Sequence, residues 1–275
     1  MAHLSGPAGA DDPQPSVTID TSVPHIARIY DYWLGGKDNF AVDRKAAEGA
    51  AAAFPGLPLS ARSNRAFLGR AVRYLAEEAG IRQFLDLGTG IPTGGNTHEV
   101  AQAVAPESRV VYVDNDPIVL AHARALLTSS PQGATSYIQA DLRDTEKILA
   151  EAGETLDFTR PTAIMLVAIL HCIPDEDGPA VIVKRLMDAV PPGSYLTISH
   201  PPRDQGQGMS AEVGERLNRM MPEGLTFRSK DEVEAFFTGL DLLEPGVVPV
   251  YQWRPDPDST VSLPADNWGG VATKR

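Results

Sequence analysis

The chain has 275 residues, 43% of them hydrophobic, and a formal net charge of −12 at pH 7. This length allows one large domain or two small ones, and the acidic balance argues against a broad phosphate-binding surface, so no nucleic-acid partner is expected. The one cysteine, Cys172, excludes an intramolecular disulfide and a cysteine-ligated iron–sulfur cluster, and no His/Cys group has zinc spacing, so no metal site is predicted.

The first 80 residues are predicted to contain a tail and a helical cap. Residues 1–22 are rich in Gly, Pro, Ala and Asp, a composition typical of disorder. Residues 23–80 show apolar helical stripes that end at glycine or proline, which predicts a helical cap. Its three helices are predicted from Pro24 to Gly35, over 41–53 and over 61–79.

Residues 81–275 alternate strand and helix patterns, which predicts a mostly parallel sheet covered by helices on both faces. Asn96 with Glu99, and Ser229 with Glu232, are capping-box patterns that begin two of the helices. Seven strands are predicted at 82–87, 109–113, 135–139, 162–170, 194–199, near 240–254 and at 269–274. Helices are predicted from about 97, over 117–127, 144–151, 178–190 and 210–221, and from 229.

Three carboxylates stand at the ends of three predicted strands. Asp86 lies two residues before Gly88 of the turn Gly88-Thr89-Gly90, Asp114 ends the second strand, and Asp141 follows the third. Because the carboxyl ends of parallel strands meet at one edge of a sheet, we expect these side chains to line one crevice. Each of them alone is more simply explained as a helix cap or a solvated loop charge, but the ordered set favours a ligand site.

The chemistry of this crevice predicts a cationic ligand with a nucleoside and no phosphate. A dinucleotide-binding turn presents N–H groups to a pyrophosphate, which the anion of Asp86 would oppose. The dinucleotide fingerprint also needs a third glycine where this chain has Thr93. These two residues argue against an NAD-linked oxidoreductase. S-adenosylmethionine (SAM) fits, with Asp114 predicted to accept from the ribose hydroxyls and Asp141 from the adenine amino group.

Two resemblances follow from these motifs. The class I SAM-dependent methyltransferases are similar from about residue 82 to 275, in the segments Phe84–Gly90, Val110–Asp116, Ala140–Leu142 and Leu166–Pro174. A bacterial family called S-adenosyl methyltransferases, abundant in actinomycetes and of long-unknown function, resembles nearly the whole chain through Val23–Phe40, Asn64–Phe67 and Gly90–Thr93. The resemblance implies a Rossmann-like α/β fold with a mostly parallel seven-stranded sheet, an N-terminal helical cap and SAM as cofactor. The predicted cofactor contacts at the strand ends are Asp86, Gly88, Thr89, Gly90, Asp114, Asn115, Asp141, Leu142 and Ala168.

The cap is predicted to add cofactor contacts of its own. The loop Gly35–Asn39 combines glycine freedom with polar groups, which predicts a lid over cofactor or substrate. Arg65 suits the methionine carboxylate, because a guanidinium binds a carboxylate with two donors; the alternative is a surface arginine. Trp33, an aromatic at helical spacing, is more simply explained as core packing. The predicted cap contacts are Tyr30, Lys37, Asn39 and Arg65.

His171, at the end of the fourth predicted strand, is the candidate general base for an acceptor that must lose a proton. The alternative is that its ring caps a helix or bonds a backbone carbonyl. Cys172 is predicted to be a packed apolar residue rather than a nucleophile, and His200 is a weaker candidate base.

The predicted activity is therefore methyl transfer from SAM to a small-molecule acceptor. A non-catalytic SAM-binding sensor or interaction protein shares every binding motif and is the alternative. A deep pocket lined by His171 and cap aromatics would favour catalysis, whereas a sealed wall would favour binding alone. No run of 18 apolar residues and no signal-peptide pattern occur in the sequence, so no membrane association and a cytoplasmic location are expected.

Overall fold

The structure is a computed structural model, and it describes residues 20–126, 128–203, 224–256 and 267–275. The cap contains three helices, two of which agree closely with the predicted bounds. The third begins at 57 rather than 61, because Pro58 is tolerated in a first helical turn. These helices are α1 (Ile26–Leu34), α2 (Ala41–Ala53) and α3 (Leu57–Glu77). Most of the predicted tail 1–22 lies outside the described residues.

Among the described residues, one sheet contains eight strands in the order β3-β2-β1-β4-β5-β8-β6, with β7 also paired to β8. The first five strands are parallel, and the last strand, β8, is antiparallel to its neighbours. The strands are β1 (Gln83–Leu87), β2 (Arg109–Asp114), β3 (Ala134–Gln139), β4 (Ala163–Val167), β5 (Tyr195–His200), β6 (Asp241–Leu242), β7 (Val248–Pro249) and β8 (Trp268–Thr273).

The mostly parallel α/β sheet is confirmed, but the predicted count of seven strands is wrong. The segment 240–254 forms two strands of two residues each instead of one. Pro245 and Pro249 cannot donate to a ladder, and Gly246 has a φ of 83° that suits a turn. The chain therefore leaves the sheet between β6 and β7 and pairs with β8 twice.

Five helices connect these strands in the described ranges. Both predicted capping boxes form: the N–H of Asn96 donates to Glu99 at 2.7 Å, and the N–H of Ser229 donates to Glu232 at 2.7 Å. The helices are α4 (Thr97–Val104), α5 (Pro117–Leu126), α6 (Thr145–Ala152), α7 (Pro179–Asp188) and α8 (Lys230–Ala235). The helix predicted at 210–221 lies outside the described residues. No described helix is long and apolar enough to cross a bilayer.

Alternate residues of the strands bury opposite faces of the sheet. Leu85 of β1 joins a cluster with α6, α7 and α8, whereas its neighbour Phe84 joins a second cluster with Phe67 and other residues of α3. A third cluster, around Ile29 and Trp33, holds α1, α2 and the start of α3 together. Helix α3 therefore belongs to both the cap and the sheet core, and it fixes the cap over the carboxyl ends of the strands.

Candidate functional site

A cavity of about 730 Å³ lies between the carboxyl ends of β1–β4 and the cap. Its volume is within the range of about 300–1,000 Å³ that is usual for small-ligand pockets. Most of the residues predicted from the sequence line it. These are Tyr30, Arg65, Asp86, Gly88, Thr89, Gly90, Asp114, Asn115, Asp141, Leu142, Ala168 and His171.

The turn between β1 and α4 forms the floor of the cavity. Gly88 has a φ of 72°, and a Cβ there would come within 2.4 Å of the Ile169 side chain, so only glycine fits. Gly90 has a φ of 64°, but nothing lies within 4 Å of the position of its Cβ. The backbone at Gly90 therefore leaves room for a ligand to approach closely.

Asp114 at the end of β2 holds this turn in place. Its Oδ2 accepts from the N–H of Gly90 at 2.9 Å and its Oδ1 accepts from the N–H of Asp116 at 3.0 Å. Burial raises the pKa of Asp114, and these two bonds act in the opposite direction. Since each carboxylate oxygen can accept a further bond, Asp114 retains capacity for ligand hydroxyls.

Asp86 is the most perturbed carboxylate of the cavity. Burial raises its pKa to about 6, against the lowering effects of the hydrogen bond from Thr97, at 2.5 Å, and of the charge of Arg65. Arg65 donates through Nη2 to Asn96 Oδ1 at 2.7 Å, while its buried Nε has no partner among the described residues. A cationic ligand group would stabilise the ionised form of Asp86, and the free donor of Arg65 suits an anionic one.

Asp141 lies at the rim of the cavity rather than inside it. Its side chain is 43% exposed, and Arg143 contacts it through Nη1 at 2.8 Å and through the backbone N–H at 2.8 Å. Arg143 also donates to Asp177 at 2.7 Å. The sequence analysis did not predict this ion pair. Arg143 occupies hydrogen-bond acceptor positions of the Asp141 carboxylate that were predicted to bind an adenine amino group.

The structure does not bring Lys37 and Asn39 to the cavity. Asn39 is buried and donates to Asp31 Oδ2 at 2.7 Å, and the N–H of Asp38 donates to the same oxygen at 3.0 Å. A Cβ on Gly36 would overlap the Asp31 carboxylate. The loop Gly35–Asn39 therefore folds onto Asp31, because this buried carboxylate needs donors that the loop supplies, and Lys37 remains exposed.

Tyr30 lines the cavity with its ring, but its hydroxyl is used structurally. The hydroxyl donates to the carbonyl of Ala61 at 3.0 Å and accepts from the amide of Asn64 at 3.0 Å. Asn64 Oδ1 in turn accepts from the Ser199 hydroxyl at 2.5 Å. This chain of bonds joins α1 to α3 and to β5. Asn64 and Ser199 were missed by the sequence analysis as a bonded pair, because they are 135 residues apart.

His171 reaches the cavity through an unusual backbone turn. Ala168 follows β4 with a φ of 55°, in the left-handed region that side chains rarely adopt. A 3₁₀ turn over Leu170–Cys172 comes next and carries His171. The ring is buried, and its Nδ1 has no partner among the described residues. Burial, together with the charge of Arg228, lowers the pKa of His171 to about 4, so the ring is neutral at pH 7.

Arg228 holds the 3₁₀ turn that carries His171 in place. Its guanidinium, 3% exposed, donates to the carbonyls of Leu170 at 2.9 Å and Ile173 at 2.8 Å, and to Asp175 at 2.7 Å. Arg228 was not identified in the sequence, because its contacts span more than 50 residues and follow no local motif.

His200, the weaker candidate base, has both ring nitrogens occupied. Nε2 lies 2.9 Å from Arg228 Nη1, and Nδ1 lies 2.8 Å from the carbonyl of Pro201. Because a guanidinium only donates, Nε2 accepts and Nδ1 carries the proton. Burial, chiefly, lowers the pKa of His200 to about 3. His200 is thus a structural partner of Arg228 in the described part of the chain.

Residues 12–275 match the model of the S-adenosyl methyltransferase family. The chain belongs to this family. A DUF574 family protein from Streptomyces avermitilis MA-4680 is 46% identical, with a TM-score of 0.87 over 93% of this chain and 99% of that chain. A candidate methyltransferase from Thermobifida fusca YX is 45% identical, with a TM-score of 0.82 over 97% of this chain and 100% of that chain. Among curated proteins, none matches significantly.

The predicted class I methyltransferase fold, SAM as cofactor and methyltransferase activity are thereby confirmed. The cavity of this methyltransferase also fits the cofactor. Asp86 and Asp114 offer anions where a phosphate would be repelled, Gly90 leaves its backbone open, and Arg65 has a free donor. These acceptors and donors together match a ligand with cationic groups, ribose hydroxyls and one carboxylate.

Proposed function

We propose that this methyltransferase methylates a small molecule that binds between the cap and the end of β4. The continuous cavity is the observation that supports this proposal: it extends from the three carboxylates to His171 and to the cap aromatics Trp33 and Phe54. A cavity of this kind favours catalysis over binding alone, because it leaves room for an acceptor beside the cofactor.

SAM supplies a methyl carbon activated by its sulfonium, so that an acceptor lone pair forms the new bond and the electron pair of the broken C–S bond stays on sulfur. The chain contributes chiefly position, which is worth roughly 7–11 kcal/mol for well-oriented reactants. Asp114 would accept from the ribose hydroxyls, Asp86 would face the cationic groups, and Arg65 would donate to the methionine carboxylate.

His171 is the residue that would take a proton from the acceptor. Its neutral ring lines the cavity, although the Nδ1 atom itself is buried without a partner in the described chain. With a pKa of about 4 it is a weak base toward a free hydroxyl. The proton becomes acidic as the methyl group is transferred, however, so a late transfer to His171 is sufficient.

The test uses SAM labelled in its methyl group and an actinomycete cell extract separated into small molecules, protein and nucleic acid. We expect label in the small-molecule fraction, and a loss of roughly 10²–10⁴ in rate for His171→Ala with SAM affinity within a few-fold. Asp114→Ala is the matched control for cofactor binding, and should lose about 1–3 kcal/mol of SAM affinity.

Label confined to protein or nucleic acid would contradict a small-molecule acceptor. SAM binding without label in any fraction would favour the non-catalytic sensor. A His171→Ala variant that also loses SAM binding would assign His171 to the cofactor site.

A further inference from the structure

The charged and titratable residues that line the cavity lie mainly on its cofactor side. His25 is one of them, because its Nδ1 lies 3.1 Å from Asp116, next to the end of β2. Arg65 is another, because it bonds the start of α4. Apart from His171, the charged or titratable lining residues among those the structure describes are His25, Tyr30, Arg65, Asp86, Asp114, Asp141, Arg143 and Cys172.

The opposite side of the cavity is apolar. Trp33 and Phe54 belong to the packed cluster between α1, α2 and α3, and six further lining residues pack against this cluster, among them Ile26, Leu57, Leu225 and Phe227. We name this surface the apolar wall, and it consists of Ile26, Trp33, Phe54, Leu57, Leu225 and Phe227. Three of its six side chains are aromatic, which favours a flat, apolar binding partner.

His171 stands where the two sides meet, at the end of β4. It is more than nine-tenths buried, neutral at pH 7, and its Nδ1 lacks a partner in the described chain. The positive charge of Arg228 contributes to the lowered pKa of His171. The donors of Arg228 already bond Leu170, Ile173, Asp175 and His200. The cavity lining therefore offers the acceptor uncharged polar groups, among them His171, Asn64 and Asn267, but no described ionic partner beside the apolar wall.

We propose, resting on the methyltransferase function above, that the methyl acceptor is an uncharged, largely apolar molecule of aromatic size. Its body lies on the apolar wall, and its reacting neutral group, such as a hydroxyl, lies beside the imidazole of His171.

The physical reason is the cost of burying an unpaired charge. A carboxylate or ammonium on the acceptor would lose its water and find no partner at the wall. An ammonium would also be repelled by the positive charge of Arg228. A carboxylate would gain no hydrogen bond from Arg228, because the guanidinium donors already bond other groups. A neutral hydroxyl loses less on leaving water and gains the ring of His171 as a hydrogen-bond partner.

The test compares three probes of one shape on the full chain saturated with S-adenosylhomocysteine, so that no turnover occurs. The probes are 2-naphthol, 2-naphthoate and 2-naphthylmethylammonium, titrated near neutral pH by calorimetry, with quenching of tryptophan fluorescence as a second readout. We expect 2-naphthol to bind at least tenfold more tightly than either charged probe. Leu57→Asp should reverse the order in favour of the ammonium, with Leu57→Asn as the uncharged control.

The outcomes separate the two proposals. If S-adenosylhomocysteine does not bind, the proposed function fails. If it binds and a charged probe equals or exceeds 2-naphthol, or if 2-naphthol does not bind, the inference about the acceptor is overturned and the function stands. The relative affinities of the three probes for the unmodified chain test the inference about the acceptor even if Leu57→Asp does not fold.

Discussion

Asp86 shows how a single residue of this methyltransferase links cofactor binding to stability. Its folded-state pKa of about 6 lies above the ordinary value of 3.8, because the carboxylate is buried. Between these two values the folded, cofactor-free chain binds the proton more tightly than the unfolded chain. The ionised carboxylate therefore costs stability, on the order of 3 kcal/mol. This cost is complete above about pH 6 and disappears as the pH falls toward about 4.

Replacing Asp86 by Asn should therefore stabilise the cofactor-free chain and weaken SAM binding. We expect a higher Tm than wild type at about pH 7.5 and a smaller difference at about pH 4.5, measured by thermal unfolding. Wild-type affinity for SAM should fall as the pH drops through about 6, because protonated Asp86 no longer attracts a cation. In Asp86→Asn the affinity should be lower and nearly independent of pH. The control is Asp188→Asn, an exposed position on α7, which should change neither quantity.

A Tm for Asp86→Asn that stays below wild type at both pH values would contradict the burial argument. It would show that the hydrogen bond from Thr97 outweighs the cost of the buried charge.

At the scale of elements, the turn between β4 and α7 depends on one buried guanidinium. Arg228 bonds the carbonyls on both sides of His171 and also reaches Asp175 and His200. A buried donor with this many partners is expensive to remove, because the carbonyls are left unsatisfied. We infer that Arg228 is a positioning residue for His171.

Arg228→Gln should change the environment of His171 as well as the stability of the turn. The pKa of His171, followed by NMR, should rise from about 4 toward the ordinary value of 6.5, because the charge of Arg228 is lost and the ring becomes more hydrated. The unfolding free energy should fall by about 3 kcal/mol. The control is Arg203→Gln, in which the exposed Arg203 loses its contact with Glu232. A His171 pKa that does not move in Arg228→Gln would limit Arg228 to a structural role.

At the scale of the whole molecule, the cap is joined to the sheet by polar bonds as well as by α3. The hydroxyl of Tyr30 connects α1 to Ala61 and Asn64, and Asn64 connects to Ser199 of β5. The Asn64–Ser199 bond is buried and the two bonds of Tyr30 are partly buried, so each donor or acceptor left without a partner carries a desolvation cost. The cap that covers the cavity is therefore bonded to the sheet.

Tyr30→Phe should lower the unfolding free energy by about 1–3 kcal/mol, because the carbonyl of Ala61 and the amide of Asn64, which is itself buried, lose a hydrogen-bond partner. Denaturant unfolding measures this quantity. Tyr32→Phe provides a matched control on the same helix, because the Tyr32 hydroxyl donates to Glu48 in an exposed position. This variant should lose less than about 0.5 kcal/mol of unfolding free energy, as is usual for a surface change. Equal losses in the two variants would contradict a special role for the Tyr30 bonds.

Some features of the site were determined by the sequence itself. The strand-ending carboxylates Asp86 and Asp114, the turn Gly88–Gly90 and the position of His171 after β4 all follow from local patterns and from the rule that parallel strands share one edge. The cap follows from its apolar helical stripes, and both the strand-end carboxylates and the family resemblance indicate SAM. These signals are local, because each depends on a few residues close together in the chain.

The tertiary structure decided which polar groups bond to one another. It placed Asn39 on Asp31 rather than on the cavity, paired Asp141 with Arg143, and brought Arg228 to His171. It also divided the predicted strand at 240–254 in two. Buried polar groups take partners from wherever the fold brings donors and acceptors together, and contacts that span many residues leave no periodic pattern in the sequence. The sequence therefore determined which strand-end residues line the cavity, whereas only the fold formed the apolar wall and the support of His171.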